Sequence, residues 1–159
     1  MRLWFALLLL SGCSFMIGGK DTPKTAKGSL YSITFAQPDW VYKSDKRSDY
    51  IYENTKDGRI LLSNSFCEEF QEQPLEQLAT KTFKTVKNFK ATVSEYNTFQ
   101  NREAFRLVGA GLVDGVKVNL RLLNTRRDNC YFDFVAITPE KSSAGDSAFA
   151  DFLQSVVFK

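Results

Sequence analysis

The sequence predicts an α+β fold: an antiparallel β-sheet with two main helices packed on it. Three observations carry that expectation. From Leu30 onward, apolar and polar residues alternate with a period of two in run after run, and short turn signals separate the runs. One stretch, PLEQLATKTFKTVKNF (74–89), switches to helical spacing, and a second apolar stripe closes the chain. Consecutive strands joined by short turns pair antiparallel and leave helices to cover the faces.

Each element has its own signal. Tyr31, Ile33 and Phe35 alternate with Ser32 and Thr34, as in a half-buried strand, and Pro38-Asp39 turns the chain into Trp40-Val41-Tyr42. Tyr50–Glu53 and Ile60–Phe66 flank Lys56-Asp57-Gly58, where Asp-Gly suits a type I′ hairpin turn. Within 74–89, Leu75, Leu78, Ala79, Phe83 and Val86 form one stripe opposite Glu76, Gln77, Lys81, Lys84 and Lys87, with Pro74 in the first turn. Four strands follow, at Thr92–Thr98, Glu103–Gly109, Val116–Leu123 and Cys130–Ile137. Asn101 lies near the first turn, Asp114-Gly115 forms the second, and a charged turn covers Thr125–Asn129. The last strand, apolar except for Asp133, reads as a central strand covered on both faces. Phe149, Phe152, Leu153, Val156 and Val157 mark the closing helix, with Ser143 or Asp146 as its N-cap. The order is β-β-β-β-α-β-β-β-β-α.

Composition narrows the function classes. The 159 residues leave room for one domain with a sizeable core, and 43% hydrophobic with 25% charged residues is an ordinary globular balance. A net charge of +3 without Lys/Arg blocks gives no reason to expect nucleic acid. There is no histidine, which excludes Ser-His or Cys-His nucleophile pairs and His-containing zinc sites, but leaves carboxylate or lysine chemistry open.

The first residues read as a processing signal. Met1-Arg2 is a minimal positive start, followed by the apolar run Leu3–Leu10. A helix through Gly12 would be roughly 15 Å long, half of a ~30 Å hydrocarbon core, too short to cross and right for a secretory signal. Leu10-Ser11-Gly12-Cys13 resembles the lipobox of bacterial lipoproteins: an aliphatic residue, two small residues and a cysteine. The resemblance implies removal of residues 1–12, a diacylglyceryl group on the Cys13 sulfur and an acyl group on its new amino terminus. A plain signal peptide with an incidental cysteine, or a buried N-terminal strand, are the alternatives. Several acyl chains, at ~0.8 kcal/mol per buried CH₂, hold a protein firmly where one does not. Ser14 resembles the outer-membrane-sorted class, because an Asp after the cysteine is associated with inner-membrane retention. Residues 13–29 then form the lipidated end and a tether, punctuated by Gly18-Gly19, Pro23 and Gly28, with a reach on the order of 20 Å. Lys20, Lys24 and Lys27 along it are either solvated or in contact with anionic headgroups. The domain occupies 30–159.

The element order, the opening ITFAQPDW, the middle helix, the long strands and the closing FADFLQSVVF resemble the PsbP-like fold, which bacterial DcrB-type envelope lipoproteins share. That resemblance runs from about Tyr31 to Phe158 and implies an adaptor or accessory protein.

Few side chains offer chemistry. With Cys13 lipidated, Cys67 and Cys130 form an even pair for an oxidising compartment, and we expect a disulfide; two separate buried thiols are the alternative. Neither a CxxC nor a histidine is present to make a reactive thiol. Glu68, Glu69 and Glu72 could hold a hard cation or act as acid and base, yet they are also favourable charges ahead of a helix N-terminus, and we expect no metal. Arg102, Arg106, Arg121, Arg126 and Arg127 could converge as a basic surface for a carboxylate, phosphate or acidic partner, or be turn charges paired with Asp114, Asp128 or Glu103. Gly109-Ala110-Gly111 follows no βα turn and suits a bulge or strand end, not a dinucleotide site.

The anchor, the tether and the lack of an assembled catalytic set point to a noncatalytic module bound to the lipid bilayer, outside the cytoplasm, facing the periplasm or the surface. Its expected partner is another envelope component, a protein, and no cofactor beyond the Cys13 lipid is expected. A carrier or sensor of a small amphipathic ligand, held between sheet and helix, is the alternative; a carboxylate enzyme is a third reading.

Overall fold

The computed structural model describes residues 30–67, 73–142 and 147–159. The signal segment 1–12, Cys13 and the tether to residue 29 lie outside the described residues, as do Glu68, Glu69, Glu72, Ser143 and Asp146.

The described residues form nine strands and two helices: β1 Tyr31–Ile33, β2 Trp40–Lys43, β3 Tyr50–Asn54, β4 Ile60–Phe66, α1 Leu75–Thr82, β5 Lys87–Phe99, β6 Arg102–Val113, β7 Val116–Arg127, β8 Cys130–Pro139, α2 Ser147–Gln154 and β9 Val156–Phe158. Seven strands form one antiparallel sheet in the order β2-β3-β4-β8-β7-β6-β5, and β1 pairs with β9 in a separate two-stranded sheet. The fold class expected from the sequence, α+β, is the one observed.

Alternation along the strands divides the core in two. On one face, Leu75, Leu78 and Ala79 of α1, with Phe83 and Val86 beyond it, pack on Phe105, Leu107, Leu120, Leu122, Val135 and Ile137. On the other face, α2 and the β1–β9 pair cover Leu61, Ala104, Leu123, Phe132, Phe134 and Ala136. Aromatic rings fill that second layer edge to face: Tyr31 meets Tyr50 and Phe132, and Phe35 meets Trp40, Tyr52 and Phe152.

The turns are written in backbone angles. β5 to β8 form a meander whose three connections are two residues each, with both residues at positive φ: Gln100-Asn101, Asp114-Gly115 and Asp128-Asn129. The turn expected across Thr125–Asn129 is therefore shorter, because Thr125 and Arg127 continue the ladder. Between β3 and β4 the expected type I′ turn is absent. The Asn54 side-chain oxygen accepts from Lys56 N at 2.9 Å and Asp57 N at 3.2 Å, which winds the loop so that Gly58, at φ 72°, makes the return.

Two expectations are corrected. The middle helix ends at Thr82, not Phe89. Phe83 and Val86 keep their burial by turning, and Asn88 adopts φ 55°, so the i, i+3, i+6 spacing is met without helix. Val156 and Val157 belong to β9, not to the closing helix: Val156 is buried, Val157 is 56% exposed, and their alternation pairs with Tyr31–Ile33.

The start of β5 is bulged, with register shifts between Lys87 and Lys90 and between Ala91 and Val93. There the bent strand folds Phe89 over β6, and glycine makes room. A Cβ on Gly109 would lie 2.4 Å from Lys90 O and 2.6 Å from the Phe89 ring. Gly109→Val should therefore destabilise the domain by about 1–3 kcal/mol, read as a lower urea midpoint with an unchanged slope.

Candidate functional site

β4 and β8 run antiparallel with Phe66 opposite Tyr131, so the next residue outward on β4 and the preceding one on β8 are neighbours. These are Cys67 and Cys130, and they are joined as a disulfide with their Cα atoms 4.2 Å apart. The bond closes a loop across a separation of 63 residues. It fixes the chain just ahead of α1 to the first residue of β8.

The five arginines do not form one surface. Alternation places Arg102, Arg106, Arg121 and Arg127 on the face carrying α2 and β9, and Arg126 on the face carrying α1. Two of them meet: the guanidinium carbons of Arg102 and Arg127 lie 4.8 Å and 5.6 Å from the centre of the Phe158 ring. Arg127 Nε also donates to Asp128 Oδ2 at 2.9 Å, the turn pairing expected for it. Arg106 pairs with Glu95, its cross-strand neighbour, at 3.1 Å and not with an acid of the turns. Arg121 lies between Val108 and Ala136, further along the sheet. Arg126 donates to the Gln73 carbonyl at the entry to α1. The Arg102–Arg127 pair sits beside the junction with the N-terminal segment, since Phe158 is opposite Tyr31 and Lys159 N donates to Leu30 O at 2.9 Å.

Two buried carboxylates were not singled out by the sequence. Asp49, 2% exposed, accepts at Oδ2 from the Tyr31 hydroxyl at 2.7 Å and from Ser65 Oγ at 2.5 Å; Ser63 Oγ is 2.9 Å from the same tyrosine. Burial and the Asp49 charge hold the Tyr31 hydroxyl far above its ordinary range. Asp133, 1% exposed, lies beneath α1 in register with Asn64 of β4 and Asn124 of β7. Thr82 Oγ1 contacts its Oδ2 at 2.9 Å. Asn124 donates to Leu75 O at 3.0 Å and to the Tyr131 hydroxyl at 2.6 Å, so both ends of α1 are tied to the sheet through this cluster. Desolvation pushes the Asp133 carboxyl up from 3.8 to about 7, against hydrogen bonds from Tyr131 and Thr82 that lower it. The signal for Asp133 was its isolation in the apolar run CYFDFVAI; nothing in the local pattern pointed to Asn124 or Asp49.

The two acids occupy opposite faces of the sheet and neither reaches solvent, so they cannot share an external substrate. Among the described residues, no group of three or more Cys, Asp or Glu side chains is placed to hold a metal ion, and no helix is long and apolar enough to cross a membrane.

No family model matches the chain, and no curated protein matches it. Solved structures do. LpqN of Mycobacterium tuberculosis, described as involved in cell envelope biogenesis, is similar with a TM-score of 0.64 at 11% identity, over 87% of this chain and 86% of that one. A Bacteroides thetaiotaomicron protein is similar with a TM-score of 0.59 at 12% identity; the match covers 87% of this chain but 49% of that one. The cyanobacterial PsbP protein of Synechocystis has a TM-score of 0.53 at 9% identity, over 90% and 99%. These likenesses show the fold, an α+β domain of PsbP-like architecture.

Two outcomes follow for stability. Replacing Cys67 and Cys130 together by Ala should remove about 4 kcal/mol in the chain-entropy account of a loop this long, measured by urea unfolding against the oxidised protein. Asp133 sets a pH slope. Its folded value is raised, so the folded state retains a proton that the unfolded state releases; stability is full below about pH 4 and falls as pH rises to about 7, then levels. The total is on the order of 4 kcal/mol. Asp133→Asn should flatten that slope in urea titrations repeated across the range.

Proposed function

We propose that this chain is a lipid-anchored module of the bacterial cell envelope that binds another envelope component without catalysing a reaction. The observation that carries the reading is Leu10-Ser11-Gly12-Cys13 at the end of a short apolar run, followed by a tether that enters the domain at Leu30. The Cys67–Cys130 disulfide supports an oxidising compartment outside the cytoplasm. Ser14 favours the outer membrane over the inner. The likeness to LpqN supports an envelope setting, since that protein is described as involved in cell envelope biogenesis.

The adaptor reading is favoured over the ligand-carrier reading by what lies between sheet and helix. Leu75, Leu78, Ala79 and Phe83 pack directly on Leu107, Leu120, Leu122 and Val135 there. The partner's contact is assigned to the end of the domain at which the tether joins. Arg102 and Arg127, gathered on Phe158, place two positive charges for an acidic group at that end.

Labelling with a palmitate precursor tests the anchor. The wild-type chain should incorporate the label and fractionate with membranes, whereas Cys13→Ala should lose both. Acylation that persists in Cys13→Ala, or an intact Met1 in the mass spectrum of native material, overturns the reading. Crosslinking in the native envelope should then recover one dominant protein partner, and Arg102→Gln with Arg127→Gln should weaken its yield several-fold.

A further inference from the structure

The cluster under helix α1 leaves a buried carboxyl, Asp133, with two hydroxyl donors, Thr82 and Tyr131, and, among the described residues, no cation. Thr82 Oγ1 lies 2.9 Å from Asp133 Oδ2 and 3.2 Å from the Leu78 carbonyl oxygen, but a hydroxyl has one proton and cannot donate to both. Asn124 uses both amide protons on Leu75 O and the Tyr131 hydroxyl. Asp133 Oδ1 and Asn124 Oδ1 are buried and accept from no group among the described residues. With Asp133 ionised, its charge rests on the Thr82 and Tyr131 hydroxyls alone and its Oδ1 stays unpaired in a site closed to bulk water.

One added proton changes that balance. On Asp133 Oδ2 it is donated to Thr82 Oγ1, the threonine's own proton passes to Leu78 O, and the buried charge disappears. We propose that this proton, shared between Asp133 and Thr82, holds helix α1 on the sheet, and that its release is coupled to opening of the helix.

The surroundings give the carboxyl no cationic counter-group among the described residues. It is faced by Thr82 from α1, Tyr131 from its own strand, Asn124 from β7 and Asn64 from β4. Tyr131 is the titratable one, and burial together with the Asp133 charge holds it well above its ordinary range, so it stays neutral. No lysine or arginine among the described residues contributes to the Asp133 site. The opening has a fixed end as well: the Cys67–Cys130 bond pins the chain ahead of α1, so the helix lifts from an anchored base.

Amide hydrogen exchange on the full chain, with infrared spectroscopy, tests this. Between about pH 5 and 7 the opening equilibrium of amides in Leu78–Thr82 should rise about tenfold per pH unit beyond the intrinsic exchange rate, and level off above. Asp133→Asn, whose amide can donate where the neutral acid does, should fold and lose that rise. Thr82→Val keeps the carboxyl and removes the relay; it should speed α1 exchange at about pH 5 roughly fivefold or more. The carbonyl stretch of a protonated carboxyl should be present at that pH and missing in Asp133→Asn. The proposal is overturned by an absent band, by a rise that survives in Asp133→Asn, or by α1 amides that open no more readily than those of β8, which is unfolding of the whole domain.

Discussion

Strand β8 has no face left for water, and the architecture is built around that constraint. Every residue from Cys130 to Ile137 is buried. Cys130, Phe132, Phe134 and Ala136 enter the aromatic layer under α2 and the β1–β9 pair, while Tyr131, Val135 and Ile137 enter the aliphatic layer under α1. A strand of this kind is stable only with neighbours on both edges and covering elements on both faces. β4 and β7 supply the edges, and the two helices with the terminal strand pair supply the covers. The position of Cys130 at its first residue then places the disulfide at the sheet end nearest α1's entry.

How legible this was depended on whether one pattern had one solution. The run CYFDFVAI has only a central strand as a plausible home, and it occupies one. Asp-Gly at 114–115 marked a turn that both residues' positive φ confirms, whereas the same pair at 57–58 did not specify its turn, because the Asn54 side chain reshaped the loop. Phe83, Val86 and Phe89 fit a helix as well as a turn followed by a bulged strand. What decides between them is the cleft over Gly109 and Gly111, some twenty residues later in the chain. Val156-Val157 read as helix for a similar reason: its strand partner, Tyr31–Ile33, is at the other end of the domain. Local pattern cannot express a contact of that separation.

The arginines show the same limit at the level of a site. Five basic residues near strand ends suggest convergence, but a period of two distributes them over faces, and register distributes them along strands. Only Arg102 and Arg127 come together, through a ring contributed by β9. The strand that escaped sequence reading is thus the one that gathers the basic pair beside the junction with the N-terminal segment. The Cys67–Cys130 contact was easier to anticipate because two cysteines admit a single pairing, and antiparallel register does the rest.

The two buried acids make the sharpest contrast. Asp49 accepts at Oδ2 from the Tyr31 and Ser65 hydroxyls. Asp133 also meets two hydroxyls, Thr82 and Tyr131, but Thr82 has a second acceptor in Leu78 O, and desolvation pushes the carboxyl up to about 7. Both sites are closed to water. An asparagine at 133 would be neutral at every pH and keep an acceptor for the hydroxyls, so packing alone does not call for the aspartate. What it does add is a dependence of the α1 contact on proton activity. On the proposed envelope location, where proton activity follows the surroundings more closely than in the cytosol, that dependence ties the grip on α1 to the medium. The carboxyl that disfavours the folded state at high pH is the same group through which the helix senses it.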